Sequence, residues 1–237
     1  MILSGGFSEV GKVHAEKQQG TTKRAIYVVF DNSGSMYGDG NKAWSQATYA
    51  MEVFAAMMNY ESGDVMKVFP MHDITTDGNT GSATKSSMEI RGKDDIAQIH
   101  NMYTPKPGGT PYTQVNNAAG ELTKLLNAGS VDEGWLVVLT DGDFDNDIPA
   151  SGLKADLEGK AAANENLYVQ YLAIGTDVKN IPEGNADKGL YAQKAGNTSE
   201  VVNELAEISN RIFKRNEYAG YSSEDSGLEF DIPLRKL

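Results

Sequence analysis

The sequence contains no cysteine. Disulfides, thiol catalysis, iron–sulfur clusters and thiolate zinc sites are therefore excluded. The compartment is not fixed by this, because cytosolic and secreted bacterial proteins can both lack cysteine. Long apolar runs are missing too. The longest, such as Ala25 to Phe30, are about six residues, and a membrane-spanning helix needs about 20. The N-terminus has no basic stretch followed by an apolar one, so no signal peptide is expected. Positive charge is in the minority, with 21 Lys and Arg against 33 Asp and Glu, a formal net charge of −12. So negative a surface repels phosphate backbones and disfavours nucleic acid. It equally argues against an electrostatic grip on anionic lipid. The three histidines, His14, His72 and His100, have no ligand-like partner at helical spacing. No repeat, low-complexity tract, Walker loop, nucleophile elbow or His-Glu-x-x-His occurs.

What is present is ordinary globular composition. The 237 residues are 40% hydrophobic and 23% charged. A chain of this length buries roughly 70–75% of its unfolded surface and needs no staples. Residues 1–23 are polar and glycine-dotted, and are read as a tail or an added pairing segment. From Lys23 the pattern is strand, loop, helix, repeated. Ala25–Phe30 is a continuous β-rich apolar run, as expected of a strand buried on both faces. Asp31 to Gly40 is a polar loop. Ala47, Ala50, Met51, Phe54 and Met58 then share a helix face, with Gly63 as its stop. Asp64 to Met71 is the second strand and residues 73–87 a long loop. Met88 to Arg91 forms a short strand and Asp94 to Met102 a short helix.

Thr110-Pro111 opens the next helix, with Thr as cap and Pro at the first position. Val115, Ala118, Ala119, Leu122, Leu125 and Leu126 form its apolar face, and Gly129 closes it. Trp135 to Leu139 is a buried strand ending at Thr140-Asp141-Gly142. A weaker helix carries Leu153, Leu157 and Ala161. Leu167 to Ile174 and Leu190 to Gln193 are strands. Val202, Leu205, Ile208 and Ile212 mark a final amphipathic helix. Residues 215–237 break the pattern. There Leu228 to Leu234 alternates like an exposed strand, suited to starting a following module. The alternation predicts an α/β fold. Its form is a Rossmann-like open sheet, mostly parallel, of about six strands with helices on both faces. The core domain is expected over residues 24–214.

Chemistry concentrates at strand ends, where open α/β sheets bind ligands. Asp31-Asn32-Ser33-Gly34-Ser35 follows the first strand. Its spacing sets one carboxylate and two hydroxyls at every second position of a tight loop. Gly34 frees that loop to fold its neighbours toward one point. Thr110 follows Gly108-Gly109, and Asp141 ends a central strand. In a parallel sheet the Asp31 and Asp141 loops share an edge. All these donors are hard oxygens with few charges, which suits Mg²⁺ or Mn²⁺ with water completing an octahedron.

Asp-x-Ser-x-Ser after the first strand, a Gly-Thr loop, and an Asp-Gly after a central strand together resemble the von Willebrand factor A domain family. The resemblance covers about residues 24–214, with the three pieces in family order. It implies a metal-ion-dependent adhesion site made of Asp31, Ser33, Ser35, Thr110 and Asp141. Ser33 and Ser35 would ligate through their hydroxyls. Thr110 would ligate directly or through water, according to state, and Asp31 and Asp141 would bind directly or hold coordinated waters. The resemblance implies Mg²⁺, with Mn²⁺ or Ca²⁺ as alternatives. It further implies a protein partner whose Asp or Glu side chain completes the shell, and coupling to the last helix. The expected role is a non-enzymatic adhesion module of a larger bacterial surface protein. It is expected to be a monomer at the cell surface or outside it, with a cytoplasmic partner of an ATPase as the alternative.

Taken singly, each piece has a plainer reading. Asp31-Asn32-Ser33-Gly34 suits a turn, Thr110 a helix cap, and Asp141-Gly142 another turn. Asp141 to Asp147 fails as an EF-hand, because Asn146 and Gly152 stand where Gly and Glu are needed. Asp143, Asp145 and Asp147 read instead as a solvated acidic rim. Tyr37, Tyr112 and Phe144 are candidates for an aromatic rim, with packing against the sheet edge as the alternative. The competing enzymatic reading is a metal-dependent phosphohydrolase with Asp31 as nucleophile. It lacks the second acid two residues on, where Ser33 stands.

Overall fold

The computed structural model describes residues 22–72, 74–75, 84–85, 87–96, 99, 110–144 and 147–213. The readings made for the N-terminal tail, the 215–237 extension, His14, His100, Gly108-Gly109 and Asp145 lie outside these. In chain order the elements begin with β1 (Arg24–Phe30), α1 (Gly38–Met57), β2 (Val65–Pro70), β3 (Ile74–Thr75), β4 (Thr84–Lys85) and β5 (Met88–Ile90). Then follow α2 (Lys93–Ile96), α3 (Thr113–Asn127), β6 (Glu133–Thr140), α4 (Leu153–Ala161), β7 (Leu167–Ile174), β8 (Leu190–Ala195) and α5 (Thr198–Phe213).

Six strands form one sheet in the order β5-β2-β1-β6-β7-β8. The β1/β2, β1/β6, β6/β7 and β7/β8 pairs are parallel, and β5 alone runs antiparallel, against β2. Helices cover both faces. Ile26, Val28 and Phe30 of β1 pack with Val137 and Leu139 of β6 under α1 and α5. Ala25, Tyr27 and Val29 pack with Leu136 and Val138 under α3 and α4. β1 and β6 are thus buried on both sides, which is why their sequences are continuous apolar runs rather than alternating ones. Each fully enclosed Val, Leu or Phe here contributes about 1.5–3 kcal/mol.

The structure departs from the sequence expectations at element ends. The polar stretch after β1 is not a loop to Gly40. A 3₁₀ turn spans Gly34–Tyr37 and runs straight into α1, anchored by the fully buried Met36. α1 ends at Met57, and Gly63 (φ +93°) instead ends a 3₁₀ turn over Tyr60–Ser62, its N–H donating to the Tyr60 carbonyl at 3.1 Å. Thr110 does not cap α3. That helix starts at Thr113, after Tyr112, without a side-chain cap. The Tyr112 ring is buried and its hydroxyl donates to Asp156 Oδ2 at 2.8 Å, which anchors the turn before the helix. On α5 the buried valine is Val201, whereas Val202 is exposed. Within the 73–87 stretch, β3 and β4 pair antiparallel.

Candidate metal-binding site

β1 and β6 are parallel neighbours in register, with Phe30 opposite Leu139. Their carboxyl ends therefore coincide, and the next residues, Asp31 and Thr140, meet side by side. The Asp31 N–H continues the pairing, donating to the Leu139 carbonyl at 2.9 Å. The Asp31 side chain is completely enclosed. Its Oδ1 accepts the Ser33 N–H at 2.9 Å and its Oδ2 accepts the Thr140 hydroxyl at 2.6 Å. Thr140 Oγ1 in turn accepts the Gly142 N–H at 2.9 Å. The carboxylate is thus fixed by both loops at once. Ser33 Oγ and Ser35 Oγ lie 3.0 Å apart, Ser33 buried and Ser35 exposed. Buried Asn32 clamps the neighbouring strand end. It accepts the His72 N–H at 2.8 Å and donates to the His72 carbonyl at 3.1 Å.

The Asp141 loop is locked by the segment after β7. The Asp141 carbonyl accepts the Lys179 N–H at 2.8 Å, and Asn180 Nδ2 donates to the Gly142 carbonyl at 2.7 Å. Gly142 has φ +80°, and a Cβ there would sit 1.7 Å from the Lys179 carbonyl oxygen. Only glycine fits that crossing. Asp141 Oδ1 accepts the Asp143 N–H at 3.1 Å. Asp141 and Ser35 line one cavity of about 600 Å³, together with Gln46, Asp143, Lys179 and Thr198. Thr110 is buried, in the segment that precedes α3, two residues before Tyr112.

The electrostatics are those of a buried carboxylate. Burial pushes the Asp31 carboxyl up to about 6. The hydrogen bonds from Thr140 and Ser33 pull it down, and the Asp141 charge pushes it up again. A divalent cation would relieve both burial and repulsion. Among the described residues there is no cluster of three His, Cys, Asp or Glu side chains. The expected donors are two carboxylates and three hydroxyls, of which Asp31, Ser33 and Ser35 are brought together and Asp141 lines a cavity with Ser35. Such a set fits a hard cation that keeps part of its water shell, and does not fit a softer metal.

Around the site, the structure takes the packing alternative for the aromatic residues. Tyr112 and Phe144 are not rim residues. Both are buried, packed edge-on at 5.6 Å between ring centres. Tyr37 is half-buried against Trp44, ring centres 4.3 Å apart. Of the acidic rim, Asp143 pairs with Lys179 at 2.7 Å and Asp147 is exposed. Sequence reasoning gave no role to Thr140, Asn32, Lys179 or Asn180. Thr140, which directly precedes Asp141-Gly142, carried the one available signal.

No family model and no curated protein matches the chain. Solved structures do resemble it. The pilus adhesin SpaC from Lactobacillus rhamnosus GG aligns with a TM-score of 0.52 at 17% identity, over 83% of this chain and 31% of that one. The same adhesin in an open conformation aligns with a TM-score of 0.52 at 16% identity. A D319A mutant of the PilB minor pilin from Streptococcus sanguinis aligns with a TM-score of 0.50 at 12% identity, over 87% of this chain and 65% of that one. The chain therefore spans less than a third of the adhesin's length. At such identities the likeness is one of fold.

Proposed function

We propose that this chain is a divalent-cation-dependent protein-binding module, with a Rossmann-like sheet of the von Willebrand factor A type. The observation that carries this reading is the buried Asp31 carboxylate. It is held by Thr140 and Ser33 beside the paired Ser33 and Ser35 hydroxyls, within the field of Asp141. Asp31, Ser33, Ser35, Thr110 and Asp141 would hold Mg²⁺. When bound, the cation supplies an electrophilic position for a partner's Asp or Glu carboxylate. The chain's own residues fix the geometry. Thr140 orients Asp31, Gly142 brings the Asp141 loop against the Lys179 backbone, and the cavity beside Ser35 admits the partner segment.

A phosphohydrolase with Asp31 as nucleophile would call for a second acid two residues on, where Ser33 stands. The pilus proteins that share this fold support placing the module at a bacterial cell surface, as part of a larger protein. Among the described residues no helix is long and apolar enough to cross a membrane. The test is calorimetric titration of Mg²⁺ and Mn²⁺ into metal-stripped protein. Saturable one-site binding is expected, and it is expected to vanish in Asp31→Ala. Equal binding by both proteins, or by neither, would remove the site from consideration.

A further inference from the structure

One buried polar atom on a strand next to β6 has no partner among the described residues. Tyr171 of β7 is fully enclosed, and no described residue hydrogen-bonds its hydroxyl. β7 pairs with β6, Tyr171 opposite Val138 and Ala173 opposite Thr140. Alternation along β1, β6 and β7 puts Asp31, Thr140 and Tyr171 on the same face of the sheet, the one covered by α3 and α4. The phenol lies within the field of both carboxylates: after burial, the Asp31 and Asp141 charges are what hold its proton on. The neighbouring phenol, Tyr112, is satisfied by Asp156. The unpartnered Trp135 Nε1 and Ser209 Oγ belong to the α1 and α5 side and face no such pair.

Unpaired buried hydroxyls are rare because the group has lost water and gained nothing. Phenylalanine would fill the same space without that loss. A tyrosine here is explained if its partner arrives with the ligand. We infer that Tyr171 is a positioning residue of the cation site, its hydroxyl a donor held for an oxygen of the filled shell, either a water or a carboxylate oxygen turned toward it. This rests on the proposed cation site and adds a residue that no motif marks. Its consequence is an opposition between two observables: the hydroxyl destabilises the empty protein and favours the filled one.

Tyr171→Phe removes one oxygen and leaves the packing. Its thermal midpoint and its Mg²⁺ calorimetry are to be compared with those of the unaltered protein, both metal-stripped. The metal-free variant is expected to melt about 2–4 °C higher. Its Mg²⁺ affinity is expected to fall about fivefold to tenfold. A merely structural hydroxyl would shift the midpoint and leave the affinity alone, and that result overturns the inference while the cation site stands. A lower midpoint in the metal-free variant also overturns it, because the hydroxyl would then already have a partner. If the unaltered protein binds no Mg²⁺, the proposed function and this inference fall together.

Discussion

Asp31 is a carboxylate placed where a carboxylate is costly. Burial lifts its pKa from 3.8 to about 6. The folded protein therefore holds this proton more tightly than the unfolded chain does. Between those two values stability falls as pH rises, and it stays lowered at pH 7. The shift corresponds to about 3 kcal/mol, as an order of magnitude. Asp31→Asn removes the charge and keeps the shape. The amide oxygen can still accept the Ser33 N–H, and the amide nitrogen can donate to Thr140 Oγ1. The metal-stripped variant is expected to be more stable than the unaltered protein at pH 7, by up to about 3 kcal/mol, and to match it near pH 4. Urea denaturation at the two pH values measures this. An equal gain at both would show that the charge is not the cause. The convergence of Asp31, Ser33 and Ser35 in one loop was legible in the sequence because a tight loop after a buried strand is a local feature. Thr140 and Tyr171 were not, because their roles depend on which strands are neighbours.

At the scale of elements, burial set by the sheet decides what local pattern leaves open. Val201 and Val202 are adjacent, and either completes a helical face with Leu205, Ile208 and Ile212. The sheet selects Val201, leaving Val202 46% exposed and Leu205 at 2%. Leu205→Ala is expected to cost about 2–5 kcal/mol through the cavity it leaves. Val202→Ala is expected to stay within about 0.5 kcal/mol. Paired denaturation curves check the contrast, and similar losses would put the sheet-facing side of α5 elsewhere. The same logic explains which boundaries were readable. β1, β6 and β7 are buried on both faces, so their apolar runs mark their extent closely. The starts of α1 and α3 are governed by Met36 and Tyr112, residues whose burial is tertiary. Thr110-Pro111 has the local form of a helix start, yet the helix begins beyond Tyr112.

At the scale of the molecule, strand order creates the site. β1 has β2 on one side and β6 on the other. α1 leaves it over one face, and α3 returns to β6 over the other. The chain thus diverges at the β1/β6 edge and opens a crevice there. The sequence foretold alternation and a shared edge, but not the order of the strands. The chain as a whole carries a net charge of −12. In the proposed site, exposed acids would raise the local cation concentration and the enclosed Asp31 would act at contact. These two contributions respond differently to salt, because exposed charges are screened beyond about 10 Å at 0.1 M. Mg²⁺ at a hundredfold excess over its Kd is expected to stabilise the protein by about 2.7 kcal/mol. That is a rise of roughly 5–10 °C in Tm for a domain of this size, and Asp31→Ala should show none. Raising NaCl from about 0.05 to about 0.5 M is expected to weaken Mg²⁺ binding in calorimetry without abolishing it. Affinity indifferent to salt would assign the whole attraction to the buried donors. Affinity lost at high salt would mean the cation is held by the diffuse field alone, and the convergence of loops at the β1/β6 edge would then need another explanation.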